Sequence, residues 1–231
     1  MPRIARRVVP GVAHHITQRG TAHQLVFRTR ADRCVYLDLL REQIAYVDVS
    51  VLAYCLMPNH IHLIAVPGER ESLAVVLRRV HGRYAQYFNA RRSRCGHLWQ
   101  NRFYSCPMGP GPLWTALRYV ESNPVRAGLA ERPEQYEWSS AGAHWSGQDR
   151  RRVLDMGFFR ESGGVEGWRR MFGVEEEEAV YRQLRRSTHA GQPFGDESLR
   201  ESVGALVRKG TKVDGEWGGG AGGRMAAQEA G

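Results

Sequence analysis

Long apolar runs, paired cysteines and lysine are all scarce in this 231-residue chain. No apolar run approaches the roughly 20 residues that a transmembrane helix needs, and the basic N-terminus lacks the apolar segment of a signal peptide. The four cysteines show neither close pairing nor the spacing of zinc ligands. We therefore expect a reduced, cytoplasmic protein without a membrane segment.

Acidic residues are absent from the stretch between Ser72 and Ser105, although the chain as a whole carries a net charge of +9. That arginine window contains seven cations: Arg78, Arg79, Arg83, Arg91, Arg92, Arg94 and Arg102. It also contains aromatic residues, a combination typical of surfaces that bind single-stranded nucleic acid. The alternative is a helix with aromatic residues in the core and arginines in water. We favour the first reading and predict that these arginines bind nucleic acid.

The periodicity of apolar residues predicts seven elements in the order strand, helix, strand, strand, helix, strand, helix. Their expected ranges are 12–19, 30–46, 49–56, 57–66, 72–90, 97–105 and 113–122. This order predicts an α+β fold of the ferredoxin-like, split βαβ type, an antiparallel sheet with helices on one face. We expect a first domain at 1–130, a C-terminal helical extension at 131–207 and a glycine-rich disordered tail at 208–231.

Two histidines open the second strand of the predicted hairpin, after a Pro58–Asn59 turn. Side chains alternate along a strand, so His60 and His62 lie on one face of it. Two neutral imidazoles on one face can bind a divalent metal. A solvated pair of histidines is the commoner explanation of such a short match. In the first strand, His14 or His15 is expected to be packed or hydrogen-bonded rather than a ligand.

Tyr119 and Asn123 are four residues apart in the third predicted helix and therefore share a helix face. An amide oxygen from Asn123 could complete a three-ligand site, with Tyr119 one turn away. Because Asn123 precedes Pro124, we expect distorted backbone in the final turn. Alternatively, Tyr119 is an ordinary tyrosine and Asn123 an ordinary helix terminus.

Several segments together are similar to one family. They are Met57-Pro58-Asn59-His60-Ile61-His62, the segments 96–104 and 118–129, the opening His15-Ile16-Thr17-Gln18-Arg19-Gly20 and the late segment 187–195. In their order along the chain, these segments resemble the single-tyrosine HUH transposases. More narrowly, the chain resembles the branch associated with repetitive extragenic palindromes (REPs). The resemblance covers roughly residues 8 to 205.

The resemblance implies a metal-dependent enzyme that cuts and rejoins single-stranded DNA. His60, His62 and Asn123 would hold Mg²⁺ or Mn²⁺, and Tyr119 would be the nucleophile that forms a 5′-phosphotyrosine. The substrate would be a REP-type hairpin, contacted in part by the C-terminal extension, and the protein would act as a monomer or a homodimer. Two other readings remain: a catalytically silent nucleic-acid-binding regulator on the same fold, and a metal-dependent hydrolase of small phosphoesters.

Overall fold

The computed structural model describes residues 7–174 and 177–195, together with positions 201, 203 and 205. The predicted tail at 208–231 lies outside these described residues and stays a prediction. Within the described ranges, no helix combines the length and the apolar character needed to cross a bilayer. All four cysteine thiols are free.

The sheet contains four strands, all antiparallel to their neighbours, in the order β2-β3-β1-β4. The strands are β1 (His14–Arg19), β2 (Val49–Met57), β3 (His60–Pro67) and β4 (Tyr104–Pro107). This is the ferredoxin-like arrangement, and it confirms the predicted α+β fold. The prediction of a strand at 97–105 was wrong in its bounds. Before Tyr104 the chain makes only an isolated bridge, between Trp99 and Gly20.

Seven α-helices connect and cover the strands in the described residues. They are α1 (Arg30–Tyr46), α2 (Ser72–Ala90), α3 (Pro110–Arg126), α4 (Ala141–Ser146), α5 (Met156–Glu161), α6 (Gly164–Phe172) and α7 (Glu178–Ala190). The first two have the predicted bounds. A capping box fixes the start of α1, because the Thr29 side chain accepts from the Asp32 amide and Asp32 accepts from the Thr29 amide.

Alternate residues of the strands enter two hydrophobic cores, one on each face of the sheet. On the first face, Ile61 and Leu63 pack in the core that α1 and α2 close. On the second face, Ile64 and Cys106 pack with α3. The helices of the split βαβ unit therefore share one face as predicted, and α3 lies on the other.

The C-terminal extension builds the second core together with α3. Trp168, Leu184 and Phe194 belong to the same buried cluster as Leu117 of α3. The extension also covers the free edge of β2, since the Leu56 amide donates to the Trp138 carbonyl at 2.8 Å. A covered edge strand cannot pair with another chain. The extension is therefore part of the folded body on the α3 side.

Candidate active site

The predicted pair of histidines lies on the face of the sheet that α3 covers. Because side chains alternate along β3, Ile61 and Leu63 enter the first core while His60 and His62 point the other way. The rings of the two histidines have centroids 4.9 Å apart. His62 is 5% exposed, and His60 is partly buried. The alternation argument from sequence thus placed the pair correctly relative to its neighbours.

Each histidine of the pair has one ring nitrogen in a hydrogen bond. His60 Nδ1 lies 2.6 Å from Asn59 Oδ1, and His62 Nδ1 lies 2.9 Å from Nε2 of His15. His15 in turn places its Nδ1 2.7 Å from Thr188 Oγ1 of α7. His15 is therefore hydrogen-bonded through both nitrogens, as the sequence led us to expect. None of these hydrogen bonds involves Nε2 of His60 or His62.

Burial keeps these imidazoles neutral. Desolvation, with Arg19 and His23 nearby, lowers the pKa of His60 to about 4. Desolvation likewise lowers the pKa of His15 to about 3, with His189 adding to the effect. The pKa of His62 also falls well below its usual range because the ring is buried, with His60 and His15 beside it. A neutral imidazole has a lone pair on one nitrogen, which a metal ligand requires.

Tyr119 of α3 lies directly against this cluster. Its ring centroid is 5.4 Å from that of His62 and 5.8 Å from that of His15, edge-on to both rings. The tyrosine side chain is 4% exposed. The structure therefore brings together the tyrosine and the histidine pair, which are separated by about a quarter of the chain.

Two arginines flank the ring of Tyr119. The Arg126 guanidinium lies 5.3 Å from the ring centroid, and that of Arg185 lies 5.9 Å away. Burial disfavours the charged form of Arg185, but hydrogen bonds to Glu178 and to the Tyr119 side chain raise its pKa overall. The Glu178 carboxylate forms ion pairs with both arginines, at 2.8 Å from Arg126 and 2.7 Å from Arg185. Tyr181 completes the cover, with its ring centroid 5.3 Å from that of Tyr119.

Asn123 lies one turn beyond Tyr119 in a helix that does not break. The expected distortion before Pro124 is wrong, because α3 continues to Arg126. A proline removes one backbone donor, and here the turn still closes through the Ala127 amide, which donates to the Asn123 carbonyl at 3.0 Å. The Asn123 Nδ2 atom is buried without a hydrogen-bond partner among the described residues. An unsatisfied buried N–H is costly, and as a donor it could bind a phosphate oxygen, whereas a cation would have to bind the Asn123 Oδ1 atom.

The donor set fits a divalent cation of intermediate hardness. No group of three His, Cys, Asp or Glu residues that could hold a metal occurs in the described part of the chain. A third protein ligand beside His60 and His62 must therefore be of another type, such as the Asn123 amide oxygen. Imidazole nitrogens suit transition metals, whereas carbonyl oxygens suit Mg²⁺ and Mn²⁺. Two imidazoles and one amide favour Mn²⁺ over Mg²⁺.

The arginine window is not free of counter-charge in space. Three of its members have partners in α1: Arg83 lies 2.5 Å from Glu42, Arg79 lies 3.3 Å from Gln43, and Arg92 lies 2.6 Å from the buried Asp32. The arginines of α2 (Arg78, Arg79 and Arg83) belong to the helix that closes the first core, on the face opposite the histidines. A stretch without acids in sequence therefore has counter-charges in space, because α1 supplies Glu42 and Asp32. The position of the α2 arginines gives no support to a role at the histidine pair, and DNA binding by the arginine window stays a prediction.

Arg102 has a different position. The chain just before it runs beside the end of β1, where the Gln100 amide donates to the Arg19 carbonyl at 2.9 Å. Arg19 is paired in register with His60 across the sheet. Arg102 is exposed, so it lies at the surface near the His60 end of the site.

Sequence reasoning missed the residues around Tyr119. Arg126 follows Tyr119 by seven residues on the same helix face, a spacing that could have identified it. Arg185, Tyr181 and Thr188 come from α7, and no local pattern in the sequence connects them with the site.

Comparisons with known proteins agree with this geometry. The model of the family described as IS200-like transposases matches residues 9–123, a range that includes the two histidines, Tyr119 and Asn123. No curated protein sequence matches the chain. The chain is similar in structure to a REP-associated tyrosine transposase bound to a REP hairpin, with a TM-score of 0.53 and 16% identity over 67% of this chain and 94% of that one.

A transposase structure from Deinococcus radiodurans R1 has a TM-score of 0.36 and 17% identity, over 52% of this chain and 97% of that one. The first likeness agrees with the fold, while the family match covers the four strands and α3 as far as Asn123. The chain belongs to the IS200-like transposase family.

Proposed function

We propose that the protein is a metal-dependent endonuclease and strand transferase for single-stranded DNA. It would act in the cytoplasm on REP-type hairpins, with Tyr119 as nucleophile. One observation carries the proposal: the Tyr119 ring lies 5.4 Å from the His62 ring, on the face of the sheet that also holds His60. A nucleophile beside a pair of neutral imidazoles is the arrangement that metal-assisted phosphodiester cleavage requires.

In the proposed reaction, the Tyr119 hydroxyl oxygen attacks the scissile phosphorus and loses its proton to solvent. The new bond joins phosphorus to the tyrosine oxygen, and the bond from phosphorus to the 3′ oxygen breaks. The strand that ends in this 3′ oxygen leaves and takes up a proton to give a free 3′ hydroxyl, while the other strand stays attached to Tyr119 through its 5′ phosphate. Because the phosphotyrosine keeps the energy of the phosphodiester, a 3′ hydroxyl can reverse the step and rejoin the strands without ATP.

The two arginines at Tyr119 would stabilise negative charge during the attack. The Arg185 guanidinium lies 5.9 Å from the centroid of the Tyr119 ring, so it would be close enough to stabilise the oxygen as negative charge develops. The Arg126 guanidinium lies 5.3 Å from the centroid of the Tyr119 ring and 4.7 Å from that of the Tyr181 ring. Fixed cationic donors of this kind contribute most in a site shielded from water.

His60, His62 and Asn123 would hold the metal, Mn²⁺ or Mg²⁺. When bound, the cation polarises the phosphate and offsets its charge. The protein would contribute the neutral imidazole nitrogens of the two histidines, whose ring centroids lie 4.9 Å apart, and the amide oxygen of Asn123.

The burial of Tyr119 sets one condition on this reaction. The side chain is 4% exposed and is covered by Tyr181 and Arg185 of α7. A DNA phosphate can reach the tyrosine oxygen only when these side chains move aside. The same burial favours a second candidate function, a catalytically silent binder of nucleic acid on this fold.

The proposed DNA partner follows from the family and from the charge of the site. The similar structure is that of a transposase bound to a REP hairpin, and Arg102, Arg126 and Arg185 give this side of the molecule cationic groups for phosphates. We propose that a hairpin binds on this side, to a monomer or a homodimer.

Formation of a covalent adduct tests the enzyme against the silent binder. A labelled single-stranded hairpin is incubated with the protein and Mn²⁺, and adducts that resist denaturation are separated on a gel. We expect an adduct that Tyr119→Phe abolishes. The control is Tyr87→Phe, because Tyr87 packs on the first core and its variant should form the adduct normally. Hairpin binding without adduct or nicking would establish the silent binder.

The salt dependence of binding tests the proposed DNA side. Each arginine–phosphate contact releases counterions, so Arg102→Ala should lower the slope of log K against log salt by about 1. Arg83→Ala is the matched control, since Arg83 pairs with Glu42 on the opposite face. Equal effects of the two substitutions would contradict the assignment of the binding side.

A further inference from the structure

A chain of three hydrogen bonds leads from α7 to the histidine pair. His62 Nδ1 lies 2.9 Å from His15 Nε2, His15 Nδ1 lies 2.7 Å from Thr188 Oγ1, and the Thr188 hydroxyl donates to the Leu184 carbonyl at 2.8 Å. His15 and Thr188 are each 1% exposed. Water therefore does not compete for these bonds, and the proton positions follow from the protein groups alone.

Counting protons shows which group donates in each of these three hydrogen bonds. The Thr188 hydroxyl lies 3.3 Å from the Cys106 thiol, but its one hydrogen is donated to the Leu184 carbonyl. Its oxygen therefore accepts from His15 Nδ1–H. A neutral His15 then has no proton on Nε2, and that nitrogen accepts from His62 Nδ1–H. The only ring nitrogen of His62 with a lone pair is therefore Nε2.

His60 reaches the same tautomer by a different route. The Asn59 amide is oriented by the bond from its Nδ2 to the His23 carbonyl at 3.4 Å. Its Oδ1 therefore faces His60 Nδ1, at 2.6 Å. An amide oxygen can only accept, so His60 carries its proton on Nδ1. Two unrelated sets of partners thus leave Nε2 as the lone-pair nitrogen of both histidines.

We propose that His15 and Thr188 are positioning residues that hold His62 as the Nδ1–H tautomer, with Nε2 available to a divalent cation. The inference rests on the proposed function, because it assigns these residues to the metal site of that function. Histidine ligands in metal sites generally donate their second ring nitrogen to such a partner, which fixes both the ring and the tautomer. Here the partner of His62 is His15 of β1, which is held in turn by Thr188 of α7. A helix of the C-terminal extension therefore takes part in the organisation of the metal site.

If the donors and acceptors of these hydrogen bonds were exchanged, His62 would be the other tautomer. If the Thr188 hydroxyl donated to His15 Nδ1, His15 would donate from Nε2 to His62 Nδ1, and His62 would carry its proton on Nε2. Such a His62 could not bind a metal through Nε2. The Leu184 carbonyl opposes this state because it would lose its bond to the Thr188 hydroxyl.

Nitrogen NMR of the metal-free protein tests the tautomers directly. In protein labelled with ¹⁵N-histidine at pH 7.5, long-range correlations distinguish protonated from unprotonated ring nitrogens. The resonances are assigned by comparing spectra of His15→Gln and His62→Gln. We expect Nδ1–H and bare Nε2 for both His15 and His62. A His62 protonated on Nε2 in the native protein would overturn the proposal, whatever the cleavage activity.

Mn²⁺ affinity, measured from the EPR signal of free Mn²⁺, gives a second readout without DNA. Thr188→Val keeps the shape of the side chain but removes the hydroxyl, and should weaken Mn²⁺ binding by about tenfold to a hundredfold. Thr188→Ser should restore the affinity because it restores the hydroxyl. Equal Mn²⁺ affinity of Thr188→Val and the native protein would overturn the proposal.

His15→Gln and His14→Gln form a matched pair of variants. Both histidines are buried neighbours in β1, but His14 hydrogen-bonds to the Val12 carbonyl instead of to His62. We expect weaker Mn²⁺ binding only in His15→Gln. Equal losses in both variants would indicate a general effect on folding and would contradict a positioning role. The tautomers are measured without metal or DNA. A failure of the adduct test therefore leaves this result standing, and the converse also holds.

Discussion

Two buried polar clusters lie on opposite sides of α3, and they differ in how completely their groups are satisfied. The histidine cluster consists of His15, His60, His62, Tyr119 and Thr188. The glutamate cluster consists of Glu121, Ser140, His144 and Trp168. Tyr119 and Glu121 are two residues apart in the helix, which places them on roughly opposite sides of it.

Both oxygens of the Glu121 carboxylate accept hydrogen bonds from protein donors. One oxygen accepts from the Ser140 hydroxyl and from His144 Nδ1, the latter at 2.6 Å. The other accepts from Trp168 Nε1 at 2.8 Å. Glu121 is 0% exposed, so this cluster joins α3 to α4 and α6 and has no route to a ligand.

The histidine cluster is nearly as buried but leaves donor capacity unused. Nε2 of His60 and of His62 makes none of the hydrogen bonds that occupy their Nδ1 atoms, and the Asn123 amide nearby in α3 has an unpaired nitrogen. Burial and polar residue types therefore do not distinguish a site from a structural joint. The unused hydrogen-bonding and ligand capacity does.

The largest effect on stability is expected from the glutamate cluster. Glu121→Ala leaves three buried donors without an acceptor and should lower the free energy of unfolding by about 3 to 5 kcal/mol. Urea denaturation measures the change. The control is Glu42→Ala, which breaks the exposed pair with Arg83 and should cost about 0 to 1 kcal/mol.

The histidine cluster should show the opposite balance of stability and activity. His60→Ala removes a partly buried ring that is hydrogen-bonded to the adjacent Asn59, so we expect a loss of about 1 kcal/mol or less in the free energy of unfolding. Adduct formation should fall about a thousandfold, because the metal contributes several kcal/mol to the transition state. If His60→Ala destabilised the protein as much as Glu121→Ala, the distinction between the clusters would be wrong.

Acid should weaken the protein through the histidine cluster. The pKa of His60 is lowered from 6.5 to about 4 and that of His15 from 6.5 to about 3. Below pH 6.5 the unfolded chain binds protons that the native state does not, so stability is lost as the pH falls from 6.5 towards 4. Each such histidine contributes a slope of about 1.4 kcal/mol per pH unit in that range.

Urea midpoints at pH 7.5, 6 and 5 measure this slope. His15→Gln removes one titrating group and should make the dependence shallower by the contribution of one histidine. Ser140→Ala of the glutamate cluster serves as the control, since it removes no histidine. A native protein whose stability did not change over this range would contradict the buried, neutral state of the cluster.

Much of the fold was predictable because local signals agree with it. The apolar stripes of α1 and α2 gave their observed bounds, and the alternation in β3 placed His60 and His62 on one face. The strand at 97–105 was misplaced because its residues before Tyr104 pair only at one isolated bridge. Pairing depends on a partner strand, which the local pattern does not contain.

The site was predictable only in part, for a similar reason. Chemistry alone did not select Tyr119 among the tyrosines; the resemblance to a family did. Thr188 contacts His15 from 173 residues away, and Arg185 reaches Tyr119 from the same helix. The partners of the α2 arginines come from α1. These contacts arise from packing between elements, about which the periodicity of a single segment carries no information.

The smallest effect on adduct formation is expected from a substitution of Ser140, which tests whether the glutamate cluster is chemically silent. Ser140, His144 and Glu121 are the residue types of a hydrolytic triad, but in a triad the serine is hydrogen-bonded to the histidine. Here both the Ser140 hydroxyl and His144 Nδ1 donate to the Glu121 carboxylate, so His144 cannot accept the serine proton through that nitrogen. Ser140 is also 0% exposed.

Ser140→Ala should therefore cost about 1 to 3 kcal/mol in urea denaturation, because it removes the hydroxyl that donates to Glu121 and accepts from the Tyr54 amide. Adduct formation with the hairpin should stay within about twofold of the native rate, because a change in k of that size corresponds to less than 0.5 kcal/mol. A fluorophosphonate probe, which labels activated serines, should not react with the native protein. Labelling of the native protein that is lost in Ser140→Ala would show that the glutamate cluster is accessible and reactive. That result would contradict the assignment of this cluster as a structural joint.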